Sequence, residues 1–246
     1  MSTTKWKVTF QVYRKKGSQP ARFDDFEMEV DPDEYVLDGV ERIWAHKDRT
    51  LVYRHACHHS TCGACGMRVN GVEKLTCITS IRDVTHDGGT LRIEPLRNFP
   101  ILSDLSVDMT PFYAHMDQAH YPAVAPLSAT PAGKGFAPQG AAAAAGFSRL
   151  NDCIECGLCI SACPVAVTAG DYAGPAVMAG VQFSGLKGHP DLVDLADREQ
   201  GVWRCHSVYE CSEVCPSFVD PAARVMDLRR QVIRERIHTL FHPREA

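Results

Sequence analysis

Eleven cysteines in a chain of 246 residues fall into three groups. The first holds Cys57, Cys62, Cys65 and Cys77, the second Cys153, Cys156, Cys159 and Cys163, and the third Cys205, Cys211 and Cys215. Thiolates are soft, anionic ligands. Several of them in one short loop bind a metal or a metal cluster far more readily than they pair as disulfides. The odd total argues further against a closed disulfide set. The N-terminus, MSTTKWKVTF, has no apolar signal core, and no stretch approaches the roughly 18 apolar residues of a membrane span. The chain is therefore expected in the cytosol, where thiols stay reduced.

The spacing says which metal chemistry. Cys57-x4-Cys62-x2-Cys65, followed after eleven residues by Cys77, matches the plant-type ferredoxin pattern that holds a 2Fe–2S cluster. Gly63, Ala64 and Gly66 are small enough to let backbone N–H groups approach the sulfurs. Structural zinc pairs two short hooks, which this run lacks. His58 and His59 bring to mind a Rieske centre, but four cysteines are already present, so they are read as exposed loop histidines that tune the surroundings.

Cys153-x2-Cys156-x2-Cys159-x3-Cys163-Pro164 is the bacterial ferredoxin run, whose fourth cysteine ligates the other cluster in two-cluster proteins. The third group fits the same template as Cys205-x2-Val208-x2-Cys211-x3-Cys215-Pro216, with Val208 where a cysteine would stand. Counting ligands, Cys153, Cys156 and Cys159 with the crossing Cys215 complete a 4Fe–4S site. Cys205 and Cys211 with the crossing Cys163 leave one corner without a protein ligand, which suits a 3Fe–4S cluster. A second 4Fe–4S cluster with an outside ligand is the alternative. Four, four and three use every cysteine.

These loops need elements to hold them. KWKVTFQVYR (5–14) and DDFEMEV (24–30) alternate as half-buried strands around the turn-rich KKGSQPA. Val36, Leu37, Val40, Ile43 and Trp44 predict an amphipathic helix ending near His46. Asn70-Gly71 within MRVNGVEKLTC predicts a hairpin, and TLRIEPL (90–96) a further strand. Residues 122–146, rich in Ala, Pro and Gly, read as a connecting segment and not as a phosphate loop. The second half is expected to be mainly helical. Asp220-Pro221 is placed to cap and open a last helix that Pro243 ends. Val225, Leu228, Val232, Ile237 and Leu240 form its apolar stripe, and Arg224, Arg229, Arg230, Arg234 and Arg236 a face read as solvated, the alternative being contact with an acidic neighbour or lipid headgroups. The fold class is thus α+β: a 2Fe–2S ferredoxin-like (β-grasp) domain over 1–108, then a helical, bacterial-ferredoxin-like domain over 109–246.

The net charge of −4 leaves no electrostatic footprint for nucleic acid. The sequence contains no nucleophilic triad, carboxylate pair or dinucleotide fingerprint, so it is expected to bind neither FAD nor a nicotinamide itself. Three clusters without substrate chemistry describe an electron conduit. RHACHHSTCGACGMRVNG, NFPILSDLSVDM, CIECGLCISACP and GVWRCHSVYECSEVCPSFVDP together resemble the iron–sulfur subunit of succinate dehydrogenase or fumarate reductase over nearly the full length.

The resemblance implies two partners: a flavoprotein with covalent FAD that interconverts succinate and fumarate, and a membrane anchor that binds quinone and in some members haem. It implies the order flavin, 2Fe–2S, 4Fe–4S, 3Fe–4S, quinone, and a peripheral place on the cytoplasmic face of the membrane. It places His206 and Pro164 near the quinone end. Ubiquinone-linked members carry a tryptophan just after the corresponding Cys-Pro. Here the segment reads VAVTAGDY, which fits a menaquinone-linked member or a quinone held elsewhere in the anchor. Two other readings are the equivalent subunit of another quinone- or thiol-linked flavoenzyme, and a structural zinc-binding interaction module.

Overall fold

A computed structural model of the protein describes residues 5–120 and 153–241. The connecting segment at 122–146 and Pro243 lie outside the described residues.

The first half is built on a five-stranded mixed sheet of order β2-β1-β5-β3-β4. Strand β1 (Trp6–Arg14) pairs antiparallel with β2 (Arg22–Val30), and parallel with β5 (Thr90–Glu94). The alternation in β1 turns Val8, Phe10 and Val12 inward, each almost wholly buried. Strands β3 (Gly66–Val69) and β4 (Val72–Leu75) form the hairpin, with Asn70 and Gly71 at φ 50° and 86° as a tight turn of this kind demands. Helix α1 (Val36–His46) lies across the sheet on its stripe of Val36, Leu37, Val40 and Ile43. Its Asp38 carboxylate accepts the Tyr35 N–H at 3.0 Å, fixing the first turn. Gly39 lets it approach closely: a Cβ there would lie 2.4 Å from the Phe10 ring. A small ribbon of β6 (Ile101–Ser103) and β7 (Ser106–Val107) follows.

The second half is helical. Helix α2 (Thr110–Gln118) packs on α5 (Pro175–Ser184), whose residues from Pro175 to Val181 are all apolar and buried, which makes it central. Short helices α3 (Leu158–Ala162), α4 (Pro164–Thr168) and α7 (Glu210–Glu213) carry the cysteine runs. Helix α6 (Pro190–Asp197) and the long α8 (Pro221–Phe241) close the bundle. Asp220 caps α8, its carboxylate accepting the Ala223 N–H at 3.2 Å and the Ser212 hydroxyl at 2.6 Å.

Two expectations for α8 are corrected. Val225, Leu228 and Val232 are buried, but Ile237 and Leu240 are 51% and 78% exposed, because the helix runs on beyond the elements that cover its stripe. The arginine face is not simply solvated. Arg229 donates to the Val202 and Cys205 carbonyls at 2.7 and 2.6 Å, and Arg236 bonds to Asp197 with its guanidinium against Trp203. Among the described residues, no helix is long and apolar enough to cross a membrane.

The halves meet along a polar seam. The Arg97 N–H donates to the Ser161 hydroxyl at 2.8 Å, and that hydroxyl donates to the buried Glu73 carboxylate at 2.8 Å. The Asn98 amide donates to the Ile160, Ser161 and Cys163 carbonyls, satisfying the otherwise open end of α3.

Candidate functional site

All eleven cysteines are free, as metal ligands must be. The first four converge on the loop between α1 and β3. The Cys57 sulfur accepts N–H groups of His59, Thr61 and Cys62 at 3.3–3.4 Å, and the Cys77 sulfur accepts that of Ser60 at 3.4 Å. His58 and Ser60 both take φ 60°, a left-handed turn that aims successive N–H groups at one centre. These bonds, led by that of His59, pull the Cys57 thiol down to about 6. Burial pushes Cys77 up to about 12. Cys65 and Cys77 are buried beneath the loop, while Cys62 is exposed at its tip.

The other seven cysteines line two cavities. One is lined by Cys153, Cys156, Cys159 and Cys215, with Ile154, Leu158 and Val219. The second is lined by Cys163, Cys205 and Cys211, and Val208 stands in its wall. Pro164, His206, Tyr172 and Tyr209 line it too. Backbone donors again serve the sulfurs: the Val219 N–H reaches Cys215 at 3.4 Å, and those of Val165 and Ala166, at the start of α4, reach Cys163.

Burial raises the thiols here, Cys153 to about 11 and Cys156 and Cys211 to about 12, with neighbouring thiolates adding to the cost. Clustered, desolvated thiolates with no cation are unfavourable. A bound metal reverses this, because a coordinating thiol is deprotonated outright. Soft sulfur donors, inward-facing N–H groups and apolar walls suit iron–sulfur clusters, so the residues present fit that group.

Several contacts around the sites have no sequence signature. A Cβ on Gly63 would lie 2.7 Å from Cys156 Cβ, so the two cluster loops touch. Gly157 sits against Phe99 and Met109. Tyr172 closes the second cavity, and Arg229 holds the Cys205 carbonyl. Gly63 and Arg229 were singled out above for other reasons, and Gly157, Phe99 and Met109 only as parts of resembling segments; the contacts themselves have no signal in the sequence.

Comparison with known proteins follows the same division. Residues 9–114 match the family described as 2Fe-2S iron-sulfur cluster binding domain, and residues 149–219 the family described as 4Fe-4S dicluster domain. The fumarate reductase iron-sulfur subunit of Mycobacterium tuberculosis is 34% identical over 235 residues, 94% of each chain. The chain belongs to the succinate dehydrogenase/fumarate reductase iron–sulfur subunit family. The fumarate reductase iron-sulfur subunit of Escherichia coli O6:H1 is 36% identical over 89% of each chain. The succinate dehydrogenase iron-sulfur subunit of Paracoccus denitrificans is 28% identical over 91% of this chain and 87% of its own.

Among solved structures, the Mycobacterium smegmatis Sdh1 complex in the apo form contains a chain of the same fold. It superposes with a TM-score of 0.75 at 24% identity and covers 98% of this chain and 100% of its own. As a member of this family the protein is the electron-carrying iron–sulfur subunit of an oxidoreductase complex. It has a 2Fe–2S domain, a 4Fe–4S domain and the cysteines for the 3Fe–4S cluster typical of the family.

Proposed function

We propose that the chain passes single electrons between the FAD of a flavoprotein subunit and quinone at a membrane-anchor subunit, on the cytoplasmic face of the membrane. Cys57, Cys62, Cys65 and Cys77 hold the 2Fe–2S cluster. Cys153, Cys156, Cys159 and Cys215 hold the 4Fe–4S cluster, and Cys163, Cys205 and Cys211 the 3Fe–4S cluster. The observation that carries this reading is the division of seven cysteines between a four-cysteine cavity and a three-cysteine cavity with Val208 in its wall. The packing of α2 on α5 supports a domain boundary between residues 108 and 109.

A bound iron–sulfur cluster takes up and releases one electron at a time, at a potential set by its type, its hydrogen bonds and its exposure. The chain's own residues supply those settings. N–H groups aimed at Cys57, Cys77, Cys163 and Cys215 stabilise negative charge on the sulfurs. Ile154, Leu158 and Val219 keep water from the four-cysteine cavity. Gly63 brings the first loop against the second. The second cavity opens beside exposed His206, Val208 and Tyr209, which supports this end as the quinone-proximal one, with His206 and Pro164 closest to it. The segment after Pro164 forms α4 and carries 57%-exposed Val167 with no tryptophan, which supports menaquinone as the partner.

Low-temperature EPR on the purified native complex, with iron and sulfide analysis, tests the inventory. Nine irons are expected, with one sharp signal in the oxidised state and two more on reduction. Ten irons with a silent oxidised state would place a second 4Fe–4S cluster behind Val208. Turnover with ubiquinone analogues alone would refute the menaquinone assignment.

A further inference from the structure

Beside the Cys57 loop, three side chains form a closed triangle that the cluster does not use. Glu41 Oε1 lies 3.0 Å from His55 Nδ1 and 3.2 Å from His58 Nε2, and the two nitrogens are 3.2 Å apart. Glu41 comes from α1, while His55 and His58 come from the loop, on either side of Cys57. Tyr53 stacks on His55 with ring centroids 5.0 Å apart, and the left-handed backbone at His58 turns its ring back towards the helix.

Hydrogen bonds do not account for this triangle. If each nitrogen carries a proton for the carboxylate, two donors face each other across 3.2 Å. If one proton bridges the nitrogens, the other ring turns a lone pair towards the carboxylate oxygen. Glu41 Oε1 is itself buried and has no hydrogen-bond partner of acceptable geometry. A cation at the centre satisfies all three atoms at once. Tetrahedral zinc bonds N and O donors at roughly 2.0–2.2 Å, which sets donor–donor edges of about 3.3 Å. The three observed edges are within a few tenths of that value. Two imidazoles and one carboxylate are borderline-hard donors, suited to a divalent first-row metal with a fourth position left to water.

We propose that Glu41, His55 and His58 form a binding site for a divalent transition metal, zinc being the probe, which ties α1 to the loop that carries Cys57. This assignment is independent of how the cysteines divide among clusters. The test is equilibrium dialysis of the full native complex against zinc(II), with zinc and iron counted in the same samples. One zinc per complex is expected at unchanged iron content. Glu41→Gln and His58→Asn should each weaken binding by at least the roughly 10- to 100-fold that loss of even an outer-shell partner costs. His55→Asn provides a third variant, and intact EPR signals identify those that fold. No zinc above background overturns the proposal. So does zinc retained equally by all three variants, which would move it to the other His/Asp cluster at His120, His189 and Asp191. Zinc taken up only as iron is lost would assign it to the cysteines and also overturns it. An iron count other than nine alongside one zinc would refute the cluster assignment and leave the zinc site standing.

Discussion

The runs 153–164 and 205–216 are two versions of one loop. Each places residues of positive φ at the same two steps after its first cysteine: Glu155 and Gly157 in one, Ser207 and Tyr209 in the other. Each continues into a short helix, α3 or α7, and each ends in Cys-Pro. They differ in what stands at the second ligand position and in what covers it. Cys156 lies under the first domain, against Gly63, while Val208 is 52% exposed. Gly157 has Phe99 and Met109 packed on it, whereas Tyr209 faces outward. One backbone design thus serves a covered site inside the chain and an open site at its surface. For an electron conduit those are the two different tasks: relay within, and delivery to a partner.

Exchanging the residues that differ should have the largest effect. Val208→Cys supplies a fourth thiolate to the second cavity. The iron count should rise from nine to ten, the sharp oxidised-state signal should vanish, and the lower potential should slow quinone reduction. The reverse change, Cys156→Val, should remove one iron from the covered site and create a second oxidised-state signal. An unchanged spectrum after Val208→Cys would mean that the two runs are not equivalent at this position.

A smaller effect is expected where the covered run meets the first domain. Gly63 has φ 69°, and an added Cβ would lie 2.7 Å from Cys156 Cβ and 2.8 Å from its Cα. Gly63→Ala should therefore cost about 1–3 kcal/mol from backbone strain, and push the two loops apart. In rapid-freeze EPR, succinate should still reduce the 2Fe–2S centre at its normal rate, while reduction of the later centres lags. Equal rates throughout would show that this contact does not set the path between them.

The difference between the runs was only partly legible in the sequence. The proposed ligand sets rest on spacing, and Val208 stands at the odd position of the template without any structure. The hairpin at Asn70-Gly71 and the cap at Asp220 were equally readable, because both are local: a turn needs positive φ and a helix start needs an acceptor. What covers each run was not readable. The Gly63–Cys156 contact joins residues far apart in the chain, and nothing in either segment announces the other. The stripe of α8 has helical period through Ile237 and Leu240, yet period does not say where the covering elements stop. Arg229 and Arg236 looked like members of a solvated face until α8 was packed beside Trp203 and the Cys205 loop.

The smallest effects concern how each run is held. Arg229 reaches from α8 to the Cys205 carbonyl at 2.6 Å, and Asn98 reaches across the seam to the carbonyls of Ile160, Ser161 and Cys163. Arg229→Gln and Asn98→Asp should each lower stability by about 0.5–1.5 kcal/mol, the net worth of a lost hydrogen bond, since the Val202 and Ile160 carbonyls keep backbone donors from Cys205 and Cys163. Chemical denaturation of the complex measures that loss, and the spectra separate the two. Arg229→Gln loosens only the open run, so the oxidised-state signal should broaden while the reduced signals stay sharp. Asn98→Asp loosens the backbone behind Cys159 and Cys163 together, so both the oxidised-state signal and the reduced 4Fe–4S signal should broaden. If Arg229→Gln disturbed the reduced signals as strongly, the two runs would be mechanically one unit. The covered site and the open site could then not be tuned separately, despite the single residue that distinguishes them.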